Sequence, residues 1–279
     1  MYFKDLFIVT MKKFIIAFAG IIMMLSLTAC GDDEPKDQVW IMNTQLINHV
    51  TNNSSAEFVS ATIGAVYVEF NITKMTANLA YSFAIGSDEA ILNMTDVPMT
   101  FDSNRNGYLI KSTAPVTAGN HTVSNLSIFI DMNINGNEEL CHWTNAIVDG
   151  KYELNGLVPI ITFRKASTVL TKPDGTETTD NGGTYSIEVL GLTTEGKSAT
   201  LNIDDVNIEP LVNGVSYAGI NVEPTAEGLH FTIDNEIFPR DLLKYEINQL
   251  DLTVNFFTHT LDGTIDIKDV ANLNVQGTY

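Results

Sequence analysis

Asp131-Met132-Asn133-Ile134-Asn135-Gly136 sets side-chain oxygens at the first, third and fifth positions of a loop and a glycine at the sixth. That is the spacing with which the first half of a calcium loop wraps its cation. The closing ligand is missing: position 12 needs a bidentate Glu and holds His142, although Glu138 and Glu139 lie nearby. Asp102-Ser103-Asn104-Arg105-Asn106-Gly107 repeats the spacing, with Thr113 at position 12 and a positive charge at Arg105. Asn-Gly between alternating strands accounts for both stretches as hairpins. The expectation is therefore no metal and no cofactor, with Asp131, Asn133 and Asn135 as the one set that calcium could use.

Nucleophilic and redox chemistry find less support. Cys141 and His142 are neighbours, and adjacent residues of a strand point to opposite faces, so they cannot act as a thiol and its base. His49, His121, His230 and His259 stand singly, with no spacing that brings two of them onto one metal from one element. No nucleophile elbow, phosphate-cradling glycine loop or framed pair of carboxylates occurs, so an enzyme is not expected. Trp40 and Trp143 are the only tryptophans. Either indole could stack on a sugar at the surface, but each adjoins an apolar run, and both are expected in the core.

The elements that must position these residues are strands. Val66, Val68, Phe70 and Ile72 alternate with polar neighbours, as do Leu229, Phe231 and Ile233, and Leu250, Leu252, Val254 and Phe256; this is the period of a strand with one buried face. Turn signals separate the runs at Asn106-Gly107, Asn135-Gly136, Asp149-Gly150, Asp174-Gly175, Asn181-Gly182-Gly183, Asn213-Gly214 and Asp262-Gly263. Apart from one helical turn expected at Asp241 to Tyr245, the pattern is antiparallel all-β. Three pairs of segments also correspond in order: 90–99 with 199–208, 123–131 with 247–255, and 148–154 with 261–267. In the first pair Ala, Leu, Asn, Asp and Val recur in place. The chain thus reads as two tandem, duplicated antiparallel β-domains, 39–165 and 166–279, each with enough strands to close into a small barrel or fold into a sandwich.

Ahead of them, Lys12 and Lys13, an apolar run from Phe14 to Leu25, and Leu27-Thr28-Ala29-Cys30 resemble the signal peptide and lipobox of a lipoprotein. The run is too short to span a bilayer. The resemblance implies a signal peptide over 1–29 with its true start at Met11, cleavage before Cys30, and acylation of Cys30 as the membrane anchor. Residues 30–38 then form a tether. Its cluster Gly31-Asp32-Asp33-Glu34 resembles the signal that carries Bacteroidota-type lipoproteins to the outer face of the outer membrane. An acylated Cys30 leaves Cys141 without a disulfide partner, as a buried and inert thiol. A formal charge of −19 excludes nucleic acid as a partner. A lipobox followed by tandem β-domains looks like the surface lipoproteins with calycin-like domains. The expected function is non-enzymatic binding of a small apolar molecule or a glycan at the cell surface. The alternative is a structural or adhesive component that meets another protein through its β-domains.

Overall fold

Strands with one apolar face must hide that face, and two sets of them do so here by curling shut. A computed structural model describes residues 37–132, 141–193, 196–209, 211, 214–234 and 245–278. Cys30, Asn133, Asn135 and the expected helical turn before Tyr245 lie outside the described residues, as do the side chains of Cys141 and His142. Among the described residues there is no helix.

The first barrel is built from β1 (Val39–Asn52), β2 (Phe58–Asn71), β3 (Thr76–Ile85), β4 (Asp88–Asp102), β5 (Gly107–Ser112), β6 (Val116–Ala118), β7 (His121–Asp131), β8 (Cys141–Val148) and β9 (Tyr152–Leu157). Neighbours pair antiparallel. The ring closes where β5 pairs with β7 and β9 with β1, leaving the three-residue β6 outside on β7. The second barrel is a plain meander of β10 (Ile160–Thr171), β11 (Glu177–Thr193), β12 (Gly196–Asp204), β13 (Val215–Pro224), β14 (Gly228–Thr232), β15 (Ile247–Asn255), β16 (Thr260–Ile267) and β17 (Ala271–Thr278), closed by β10 on β17. Both halves are therefore closed eight-stranded barrels, and of the two expected architectures the barrel is the one adopted.

Side chains fill both interiors. Phe70, Tyr81, Leu92 and Ile128 are fully buried in the first, and Phe163, Tyr185, Tyr217 and Phe231 in the second. Strand β10 runs across the point between 165 and 166 where the sequence places a domain limit. Ala166, Thr168 and Leu170 are all fully buried there, because β-branched threonine fits a strand as well as a linker.

Two expected turns are strand interiors. Gly182-Gly183 lies within β11, where the pairing with β10 slips its register, and Asp262-Gly263 lies within β16, opposite Thr253 and Leu252. A Cβ at Gly263 would stand 2.0 Å from the Asp251 carbonyl oxygen, so close backbone approach, not a turn, requires glycine there. The three corresponding segment pairs also fall unevenly on the barrels. The second pair occupies the sixth ring strand of each. The first occupies the fourth ring strand of one and the third of the other, and the third pair sets the β8–β9 turn against the interior of β16.

The first half of β1 alternates between buried and exposed residues, but from Leu46 to Thr51 every residue is buried. One face of that stretch belongs to the first barrel's interior. The other is covered by the second barrel, into whose apolar cluster Ile47 and Leu157 are built.

Candidate functional site

Cross-strand register sets out the site. On the outer face of the first barrel, β8, β9 and β1 align Trp143, Leu157 and Ile47 in one row and Asn145, Asn155 and His49 in the next. The first row is mainly apolar and leads beneath the second barrel. The second row is polar, and its Asn145 and Asn155 line, beside Trp143, a cleft of about 320 Å³ between the barrels.

From the first barrel the cleft takes Arg105, Trp143, Thr144, Asn145, Glu153, Asn155 and Gly156; from the second it takes Phe256, Phe257 and His259, on the turn between β15 and β16. That turn is shaped by Asn255, whose side-chain oxygen accepts the backbone N–H groups of Phe257 and Thr258, both at 2.9 Å. The Phe256 N–H is anchored on the Glu227 carbonyl at 3.0 Å. His259 adopts a left-handed backbone (φ 59°), a conformation that histidine tolerates better than most residues. Phe256 is consequently buried against the first barrel while Phe257 stays 44% exposed at the mouth.

One wall is aromatic. Trp143 stacks on Phe129 with centroids 5.8 Å apart and planes 15° apart, and the His259 ring lies tilted to Trp143 with its centroid 6.0 Å away. Behind Phe129 the Arg105 guanidinium sits 5.6 Å from the ring centroid. Gly107 makes room for this stack, since a Cβ there would meet Phe129 at 2.5 Å. The Asp102 carboxylate shapes the Arg105 turn by accepting the N–H groups of Asn104 and Arg105.

The other wall is polar. The Asn145 amide donates to Asn155 Oδ1 at 2.8 Å and to Glu153 Oε1 at 3.2 Å. Asn155 Nδ2 is buried and has no hydrogen-bond partner. A buried amide left without an acceptor costs about 1–3 kcal/mol, so this donor is a place where a ligand oxygen would be welcome. Beneath it Thr144 belongs to a polar cluster inside the barrel. Tyr81 Oη donates to Asn48 Oδ1 at 2.5 Å and lies 3.1 Å from Thr144 Oγ1, while Asn48 Nδ2 donates to the Ser82 carbonyl at 2.9 Å.

Trp143 is thus not a core residue, contrary to expectation: it is half-buried on the outer wall, where a second domain turns an outward strand position into a cleft. Trp40 packs edge-on to Phe70 at 5.7 Å against the first barrel's core. The single histidines separate by role. His49 lies between the barrels and His259 in the cleft, while His230 meets Asp251 at 3.0 Å. His121 lies between Asp149 (2.7 Å) and Asp88 (3.3 Å). Desolvation opposes ionisation of Asp149, but the Thr122 N–H and His121 hold its carboxyl below the usual carboxylate range. Asp131 ends β7. Among the described residues no three His, Cys, Asp or Glu side chains gather to hold a metal ion.

Sequence reading missed Arg105, Asn145, Glu153, Asn155 and Phe257 as site residues. The available signal was Asn155 inside Leu154-Asn155-Gly156-Leu157, a polar residue in an apolar run at an outward strand position. The chain matches no protein-family model, no curated protein and no solved structure.

Proposed function

We propose that the protein is a non-enzymatic, lipid-anchored surface protein that binds a saccharide in the cleft between its two barrels. The observation that carries this reading is the pairing of the Trp143 wall with the Asn145–Glu153–Asn155 wall. Sugars present an apolar C–H face and a rim of hydroxyls, and recognition needs an aromatic platform beside fixed donors and acceptors. The cleft supplies both. Glu153 and the amide oxygens accept hydroxyl protons, Asn155 Nδ2 offers its unspent donor to a sugar oxygen, and Phe257 extends the apolar surface at the mouth. Its volume lies at the small end of ligand pockets and suits one or two sugar rings. Between the expected ligands, the filled barrel interiors favour a saccharide over an apolar molecule. For the adhesive alternative, ring closure leaves little free strand edge in the described barrels. Anchoring through Cys30 would display the cleft outside the cell, with the acidic tether keeping it clear of the anionic membrane.

Binding is tested by calorimetric titration of the purified protein with a panel of neutral gluco- and manno-oligosaccharides. Binding by at least one of them, weakened about tenfold or more by Trp143→Ala and also by Asn155→Leu, is the expected result. Absence of binding across the panel, or binding untouched by both substitutions, overturns the reading. For the anchor, palmitate labelling lost in Cys30→Ser is expected, and labelling that persists removes it.

A further inference from the structure

His49 is fully buried where the two barrels meet. Its ring is enclosed by Phe58 of β2 (centroids 5.6 Å apart) and by Phe256 and Phe257 of the second barrel (5.2 and 6.4 Å). Nε2 lies 2.5 Å from the Thr225 carbonyl oxygen, in the turn between β13 and β14. A carbonyl only accepts, so Nε2 carries the proton and donates it across the interface. Nδ1 is buried with no partner. That arrangement suits the neutral imidazole, which needs one donor satisfied. The imidazolium would place a second N–H and a full charge among phenylalanine rings. Phe256 and Phe257 also line the cleft, so whatever loosens the cage changes the cleft.

We propose that His49 is an acid-sensitive latch: its protonation undocks the barrels and dismantles the cleft. Among the described residues, the titratable groups on the surrounding elements are Glu153 and Tyr152 on β9, Glu57 before β2 with Tyr67 and Glu69 on it, Glu223 and Glu227 flanking Thr225, Tyr217 on β13, His230 on β14, Asp251 on β15, His259 on the β15–β16 turn, and Asp262 and Asp266 on β16. Burial pushes the His49 imidazole down; the Thr225 carbonyl and the Glu153 carboxylate pull it up by less, so it stays below the ordinary histidine value while docked. Once undocked the ring meets water and regains a value of about 6.5. The undocked form therefore binds protons that the docked form does not. Above about pH 6.5 the two forms are equally neutral, and below it undocking gains up to about tenfold per pH unit until the docked ring itself titrates. The release of ligand that follows rests on the saccharide reading; the undocking does not.

Hydroxyl-radical labelling of the purified full-length protein at pH 7.5 and pH 5.5, read by mass spectrometry, tests the latch without any ligand. Oxidation of Phe256 and Leu157 is expected to rise about fivefold or more at pH 5.5, within the linkage limit of about tenfold per unit, while barrel-interior Phe70 and Phe231 stay unlabelled. His49→Gln keeps an amide donor for Thr225 but cannot titrate, and is expected to hold its pH 7.5 pattern at pH 5.5. His259→Gln is expected to respond as the wild type does. Unchanged Phe256 labelling in the wild type overturns the latch, and that measurement needs no variant to fold. An acid response retained in a folded His49→Gln protein, or lost in His259→Gln, overturns it too. If an oligosaccharide binds, its affinity should fall at pH 5.5 in the wild type and not in His49→Gln. If none binds, the saccharide reading fails and the labelling still decides the latch.

Discussion

The two barrels share a strand number and a closed ring but satisfy their buried polar groups differently. In the first, Asn48, Tyr81 and Thr144 form a hydrogen-bonded cluster inside the ring, in space that Gly64 and Gly156 leave open. A Cβ at Gly64 would stand 2.3 Å from Asn48 Nδ2, and one at Gly156 would stand 2.1 Å from Thr144 Oγ1. In the second, the polar groups sit singly at the ends of aromatic side chains: Tyr185 Oη lies 2.8 Å from Thr168 Oγ1, and Tyr217 Oη donates to the Tyr245 carbonyl at 2.9 Å. The polar cluster lies directly under the cleft, and the apolar barrel supplies the turn that covers it. One barrel therefore carries the recognition groups, and the other makes them into an enclosed site.

Core truncation is the harshest way to probe this division. Phe70→Ala in the first barrel and Phe231→Ala in the second should each cost about 3–5 kcal/mol. Calorimetry should show each lowering one of two transitions; a single transition lowered equally by both would mean that the barrels unfold as one unit. Alkali comes next. Burial pushes both Tyr185 and Tyr217 up to about 12. Because this lies above the unfolded value of about 10, the protonated phenols stabilise the fold fully below pH 10, and that contribution is lost as the pH rises through about 12. For Tyr185 the loss is on the order of 2–3 kcal/mol. Absorbance at 295 nm should show two phenols ionising late, and late ionisation that survives in Tyr185→Phe, Tyr217→Phe would place it elsewhere.

Smaller effects bear on the polar cluster. Gly156→Ala should cost about 1–3 kcal/mol through crowding against Thr144 and Tyr81, and adding Thr144→Ala should recover part of it. If the double variant is no better than Gly156→Ala, the crowding is not at Thr144. Tyr81→Phe leaves the buried Asn48 Oδ1 without its donor and should cost about 1–3 kcal/mol, whereas Tyr217→Phe should cost about 0.5–1.5 kcal/mol, since the Tyr245 carbonyl is only part-buried. Chemical denaturation ranks the pair, and a reversed order would undo the contrast drawn between the two interiors.

Strand positions were legible wherever one face met a core and the other met water. Val66, Val68 and Phe70 are fully buried while Tyr67 between them is exposed, as their alternation requires. Legibility failed where a strand is covered on both faces. Leu46 to Thr51 and Leu154 to Leu157 lose the contrast that marks the period, because the second barrel lies on their outer side. It failed again where glycine serves backbone approach, so Asp262-Gly263 read as a turn within a strand. Among site residues Trp143 reads as core, since no local pattern tells a wall from a core. Asn155 carries no site signal in the sequence because its neighbours in space, Asn145 and His49, stand on other strands.

By itself the sequence determined the antiparallel all-β class, the presence of two domains and, where burial alternates along a strand, which residues face the interior, because period-2 burial and hairpin turns are local properties. Only the tertiary structure decided that the strands close into barrels, that β6 stays outside the first ring, and that the two barrels meet over β1, β8 and β9. Ring closure and docking depend on register between strands far apart in the chain. The same holds for the cleft, where Trp143, Asn155 and Phe257 become neighbours through contacts that no local spacing encodes.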